Sequence, residues 1–103
     1  MEGVVRSISK QVYGKGPRDI HSICQGNVYV IHCFGVLSPL EARLADQGGD
    51  GRDTLARVRQ KIFAEEREMI TQELEAKDIV VETILQDFCC VKDERILVIV
   101  TKE

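Results

Sequence analysis

The sequence predicts an α+β fold in which two β-hairpins form one antiparallel sheet with helices packed on one of its faces. Two segments rich in β-branched residues are each divided by a turn, and segments with helical periodicity lie before and between them. No repeat, low-complexity tract or linker divides the 103 residues, a length typical of one domain. We therefore expect a single domain over residues 1–103 with the element order αββ-α-αββ.

Residues 4–13 are predicted as the first helix because their apolar side chains recur at helical spacing. The sequence Gly14-Lys15-Gly16-Pro17 ends this helix, since glycine adopts the left-handed conformation easily and proline cannot continue a helix. This turn is also a candidate anion-binding site through Lys15, Gly16 and Pro17. It follows a helix and precedes a strand, however, which is the reverse of the order in a Walker loop. A turn without a ligand is the alternative interpretation.

Residues 19–34 are predicted as the first hairpin, with Gly26-Asn27 as its two-residue loop. This loop would place His21 opposite His32 and Cys24 opposite Tyr29. Both faces of the hairpin are largely apolar, whereas a half-exposed sheet normally alternates apolar and polar residues. We therefore expect both faces to be covered, at least in part.

The sequence Ser38-Pro39-Leu40-Glu41 predicts the start of a second helix, with serine as the cap and glutamate bonding back to it. This helix is expected to be short because residues 48–51, Gly-Gly-Asp-Gly, interrupt it. A long helix is predicted over residues 53–76, followed by strands over residues 79–88 and 95–101. The last strand is apolar on both faces, which favours a central position in the sheet.

The long helix carries a charged row inside an apolar surface. Arg59, Glu66 and Glu73 recur at seven-residue spacing between two apolar stripes. One interpretation is a helix that touches two surfaces with a solvated seam between them. The other is a polar row at an interface or in a ligand-binding groove.

The cysteines and histidines do not have the spacing of a structural zinc site, in which pairs of ligands lie on turns. Residues 46–51 resemble the start of a calcium loop but lack the bidentate glutamate that such a loop needs. The adjacent Cys89 and Cys90 lie in an expected hairpin loop and are a candidate redox pair, with ordinary reduced thiols as the alternative. We expect no metal, no cofactor and no catalytic residue.

Composition excludes some classes of partner. The net charge of −3 argues against nucleic-acid binding, which needs a basic surface. Residues 20–40 contain no charged side chain, but the turn within them argues against direct membrane insertion. The sequence also lacks a secretory signal, so the four cysteines are expected to be reduced in a cytoplasmic protein.

Several stretches from about Ser9 onward together resemble the MpsC-like family, formerly catalogued as a bacterial domain of unknown function. The family is named for a proposed sodium-translocating, membrane-potential-generating system. The resemblance implies an accessory component near membrane ion or inorganic-carbon transport proteins, without a known catalytic residue. It is carried by Gly14-Lys15-Gly16-Pro17, by Gly35-Val36-Leu37-Ser38-Pro39-x-Glu41-x-x-Leu44-Ala45, by Gly51-Arg52 and Val58-Arg59 on a long acidic helix, and by a strand ending in Asp87.

Three functional hypotheses follow. The first is a non-enzymatic accessory or regulatory module that forms a homodimer and binds membrane transport subunits through protein contacts. In this dimer the long helix would lie at the interface, and Arg59 would pair with Glu73 of the second chain. The second hypothesis is a sensor of a small ligand or anion that uses residues 14–17 with Arg59. The third is a redox switch at Cys89 and Cys90.

Overall fold

The computed structural model describes residues 1–102, which form three helices and four strands. This arrangement confirms the predicted α+β class and the predicted order of elements. The elements are α1 (Glu2–Tyr13), β1 (Asp19–Gln25), β2 (Val28–Phe34), α2 (Pro39–Asp46), α3 (Gly49–Glu75), β3 (Val81–Cys89) and β4 (Glu94–Thr101).

The four strands form one antiparallel sheet in the order β1-β2-β4-β3. The last strand, β4, is therefore central as its apolar sequence predicts, and β1 and β3 are the edge strands. The first hairpin has the predicted register, with His21 opposite His32 and Cys24 opposite Tyr29. A two-residue loop fixes register in this way because it leaves no freedom for a slip.

The helices cover one face of the sheet and form the core with it. Most side chains of β2 and β4 that point toward the helices are buried, and they meet the apolar faces of α1 and α3. The main members of this core are Val5, Ile8, Ile31, Cys33, Ile70, Leu74, Leu97 and Ile99.

No helix within residues 1–102 covers the other face of the sheet. The expectation that both faces of the first hairpin are covered therefore fails for the chain by itself. The side chain of Ile23 on β1 is 72% exposed, and that of Leu85 on β3 is 60% exposed. The three helices lie on one side, and residues 1–102 form no further element that covers the second face.

The long helix begins at Gly49, four residues earlier than the sequence predicts. Two residues, Gln47 and Gly48, separate α2 from α3, and Gly48 has φ 82°. Gly51 is buried against α2, where an added Cβ would lie 1.9 Å from the Leu44 carbonyl oxygen. The glycine run therefore permits a close contact between two helices instead of forming a loop.

The start of α2 has the predicted cap. The Ser38 hydroxyl accepts a hydrogen bond from the Glu41 backbone N–H, and the Ser38 N–H donates to the Glu41 carboxylate. This reciprocal capping box satisfies two backbone N–H groups, those of Ser38 and Glu41, that would otherwise need water.

Candidate functional site

A buried ion pair connects α3 to the central strand. Arg95 on β4 donates to both carboxylate oxygens of Glu66 on α3, at 2.8 and 2.6 Å, and the two side chains are 2% and 0% exposed. From α1, the hydroxyls of Ser9 and Tyr13 donate to the same carboxylate, each at 3.0 Å. Glu66 thus accepts hydrogen bonds from two other elements, which compensates for its removal from water.

Burial and the charge of Glu66 shift the pKa values of the groups around it. Burial and the neighbouring Glu66 carboxylate raise the pKa of Tyr13 to about 12, so its hydroxyl remains a donor at neutral pH. Burial lowers the pKa of Arg95, but the hydrogen bonds and charge of Glu66 outweigh that effect and raise it above its ordinary value. Burial also raises the pKa of the nearby Cys33 thiol, which disfavours its reactive thiolate form.

A second buried arginine connects α3 to the start of α2. Arg59 donates to both carboxylate oxygens of Glu41, at 2.7 and 2.9 Å, and to the carbonyl oxygen of Val36 at 2.9 Å. Its guanidinium carbon lies 4.0 Å from the ring centroid of Tyr13 and 4.9 Å from that of Phe88. Arg59 therefore combines a bidentate ion pair with two cation–π contacts.

Glu41 belongs both to the capping box and to this ion pair. Its Oε1 accepts hydrogen bonds from the Ser38 N–H at 3.0 Å and from Arg59 at 2.9 Å. Burial raises the pKa of Glu41, but the hydrogen bonds from Arg59 and Ser38 outweigh it and hold the pKa below its usual value. The Ser-Pro-x-Glu motif thus positions the carboxylate that binds Arg59.

The loop between β2 and α2, residues 35–38, is held by the β3–β4 hairpin. The Asp93 carboxylate accepts hydrogen bonds from the N–H groups of Val36 and Leu37, each at 2.7 Å, and its carbonyl accepts one from Gly35 at 2.9 Å. Gly35 has φ 65°, and an added Cβ there would lie 2.7 Å from the Arg18 side chain. Only glycine fits this position without strain.

The predicted anion-binding turn is bound by other parts of the chain. The Lys15 ammonium donates to the carbonyl oxygen of Gly35, and the Pro17 carbonyl accepts from Arg6 at 2.7 Å. Gly16 packs against the backbone of α1. The structure brings Lys15 and Pro17 to the same interior space as Arg59, but that space is too narrow for a water molecule.

The charged row of α3 is divided between the interior and the solvent. Arg59 and Glu66 belong to the buried pairs, whereas the Glu73 side chain is 53% exposed and lies 4.0 Å from Lys77. Arg59 is therefore not available to pair with Glu73 of a second chain in this structure. Sequence reasoning identified Arg59 and Glu66 but missed their partners, Glu41 and Arg95, because those residues lie on distant elements.

All four cysteines are free thiols. Cys89 is exposed at the end of β3, and Cys90 is half-buried in the hairpin turn, so both redox candidates lie near the surface. Within residues 1–102, no three His, Cys, Asp or Glu side chains are arranged to hold a metal ion.

The uncovered sheet face presents exposed apolar side chains from both edge strands. We define the open face as the side chains of the four strands that point away from the helices. At one end of it, His32 Nε2 lies 3.0 Å from a carboxylate oxygen of Glu94, and the His32 ring lies 4.0 Å from that of Phe34. Its apolar members are Ile23, Val28, Val30, Phe34, Leu85, Ile96, Val98 and Val100.

Comparison with family models identifies a match over the whole chain. A family model described as Na+-translocating membrane potential-generating system (MpsC) matches residues 1–103. No curated protein and no solved structure matches the chain. Of the helices in residues 1–102, none has both the length and the apolar character needed to cross a membrane.

Proposed function

Because the chain belongs to the MpsC family, we propose that it serves a Na+-translocating membrane potential-generating system as a non-enzymatic accessory or regulatory module. It acts through protein contacts with the membrane subunits of that system, which move sodium or inorganic carbon. We place it on the cytoplasmic side, where its four free thiols stay reduced.

The observation that carries this proposal is the open face. Ile23 and Leu85 are 72% and 60% exposed on the same face, and they come from the two opposite edge strands. Strand spacing and rise give this face an area of roughly 400 Å². Apolar patches of about 300–600 Å² on a monomer are often sites of protein interaction.

The interior supports the same interpretation. Arg59 and Glu41 form one ion pair on the helix side of the sheet, and Arg95 and Glu66 form another. Each pair joins two elements of the fold, so these side chains are suited to fixing the positions of helices and strands. A rigid framework of this kind presents the open face in one conformation.

Co-purification tests the proposal. A tagged chain is expressed in bacteria that contain the membrane subunits of the system, and the membranes are solubilised in mild detergent. We expect the transport subunits to be recovered with the tagged chain, and nothing comparable from matched cells that lack those subunits. Failure to recover them at micromolar concentrations of both components would contradict the proposal.

A redox role for Cys89 and Cys90 is the second candidate. The two cysteines begin the hairpin whose Asp93 holds residues 35–37 in place. A diazene oxidant such as diamide would join the two sulfurs, accept both thiol hydrogens and become a hydrazine. In the wild type, we expect oxidation to lower the mass of the intact chain by two hydrogens and to weaken its binding to the membrane subunits. In Cys90→Ser, we expect neither change. Binding that is indifferent to the oxidant would contradict this role.

No observation favours the anion sensor as a further candidate. Lys15 and Arg59, the two cations on which that hypothesis depends, both bind groups of the chain itself.

A further inference from the structure

The edge of the sheet that β3 forms is bordered by a groove. Strand β3 is an edge strand, so one side of its backbone has no partner strand within residues 1–102. Between this strand and α3 lie two adjoining depressions of about 580 and 400 Å³, and Arg67 and Ile84 line both of them. We call this combination of β3, the groove and the bordering side of α3 the α3–β3 side.

We propose that the α3–β3 side binds a second copy of this chain. In this homodimer the β3 strands of the two copies pair antiparallel across a two-fold axis, and the two sheets become one continuous sheet. This inference does not depend on the proposed function, because it uses the edge of the sheet and leaves the open face free.

The edge strand has the properties that such pairing requires. From Thr83 to Cys89 its register with β4 is regular, and the single irregularity lies before Thr83. Edge strands that avoid pairing usually carry proline, charged side chains or a bulge. The segment from Thr83 to Cys89 contains no proline, lysine or bulge. Its one charged side chain is Asp87, whose carboxylate accepts a hydrogen bond from the Phe88 backbone N–H at 2.9 Å.

The charges along the groove fit a second copy in the antiparallel orientation. One depression combines residues 56–67 of α3 with residues 84–88, and the other combines residues 64–72 with residues 81–84, so α3 runs opposite to β3. Arg67 and Glu68 consequently lie beside the middle of β3. A two-fold axis there sets Arg67 of each copy against Glu68 of the other, which gives two reciprocal opposite-charge contacts.

The available area also fits a dimer. A nine-residue strand is about 30 Å long, and a sheet with one helix layer is about 20 Å thick, which gives roughly 600 Å² for each copy. The sum over two copies, about 1,200 Å², reaches the lower limit of specific protein interfaces.

Charge reversal tests the arrangement. Light scattering and sedimentation across a concentration series are compared for the wild type, Arg67→Glu, Glu68→Arg and the variant that carries both changes. We expect a dimer for the wild type, dissociation constants raised about tenfold or more for each single variant, and recovery in the double variant. All changed side chains are exposed, so circular dichroism should show the same fold throughout.

Two control variants locate the interface. Lys61→Glu makes the same charge change as Arg67→Glu on an exposed part of α3 that does not line the groove, and we expect it to leave the dimer intact. Ile23→Glu places a charge on the open face and should also leave the dimer intact. A monomeric wild type, no recovery in the double variant, or dissociation caused by Ile23→Glu but not by Arg67→Glu would overturn the proposal.

Discussion

The two buried arginines account for most of the polar interior at the scale of single residues. An ion pair in the interior recovers its desolvation cost only when its remaining donors and acceptors are also satisfied. Among residues 1–102, no buried side-chain nitrogen or oxygen lacks a hydrogen-bond partner. Ser9 and Tyr13 donate the remaining hydrogen bonds to Glu66. The carbonyl oxygen of Val36 accepts a hydrogen bond from Arg59, and the Ser38 N–H donates one to Glu41.

We predict that Glu66→Ala lowers the free energy of unfolding by about 3–5 kcal/mol, because it leaves Arg95 charged and unpaired in the interior. The double variant Glu66→Leu/Arg95→Met should recover more than half of that loss, since it removes both charges. Denaturant unfolding with guanidinium chloride measures both values. A loss below about 1 kcal/mol for Glu66→Ala would contradict the assignment of a desolvated pair.

The lowered pKa of Glu41 predicts an acid dependence of stability. A carboxylate whose pKa is lower in the folded state favours folding above its unfolded pKa of about 4.3, and this contribution disappears as the pH falls through the folded value. We therefore expect the free energy of unfolding to decrease as the pH is lowered below about 4. Glu41→Gln should reduce the slope of the free energy of unfolding against pH in this range. Glu65→Gln, on an exposed part of α3, is the control and should keep the wild-type slope.

At the scale of elements, the contact between α2 and α3 depends on one glycine. Gly51→Ala places a methyl group on the Leu44 carbonyl oxygen and should cost about 1–3 kcal/mol of stability. Gly49→Ala, two residues earlier in the same helix, meets nothing within 4 Å and should be neutral or stabilising by up to about 1 kcal/mol. Thermal unfolding compares the two variants, and equal effects would mean that Gly51 does not touch α2.

The elements that the sequence predicted correctly are those specified by local signals. The Gly-Asn loop fixes the register of β1 and β2, and Ser38 with Glu41 specifies the start of α2. The start of α3 was predicted too late because the role of Gly51 depends on its contact with α2, which has no local signature. For the same reason the charged row indicated Arg59 and Glu66 but not the distant residues that bind them.

The two apolar faces of the first hairpin illustrate a further limit of sequence reasoning. Alternation of side chains shows which residues share a face, but not which face the helices cover. The helices cover the face of Ile31 and Cys33, because α1 and α3 both present apolar residues there. The face of Ile23 and Val30 stays open, and only the three-dimensional packing reveals this.

At the scale of the whole molecule, the framework and the contact surfaces are separate. The chain measures 44 × 22 × 18 Å, and the buried ion pairs lie on the helix side of the sheet. The open face lies on the other side and the α3–β3 side lies at the edge. The proposed dimer would place two open faces on the same side of one continuous sheet, and the proposed function would then have each of them bind a membrane subunit.

Binding of two single variants to the solubilised transport subunits tests the central claim that the open face is the docking surface. Ile23→Glu and Leu40→Glu introduce the same charge at side chains that are 72% and 70% exposed, the first on the open face and the second on α2. We expect Ile23→Glu to weaken binding about tenfold or more and Leu40→Glu to bind as the wild type does. Equal affinities for the two variants, or a loss confined to Leu40→Glu, would contradict the claim.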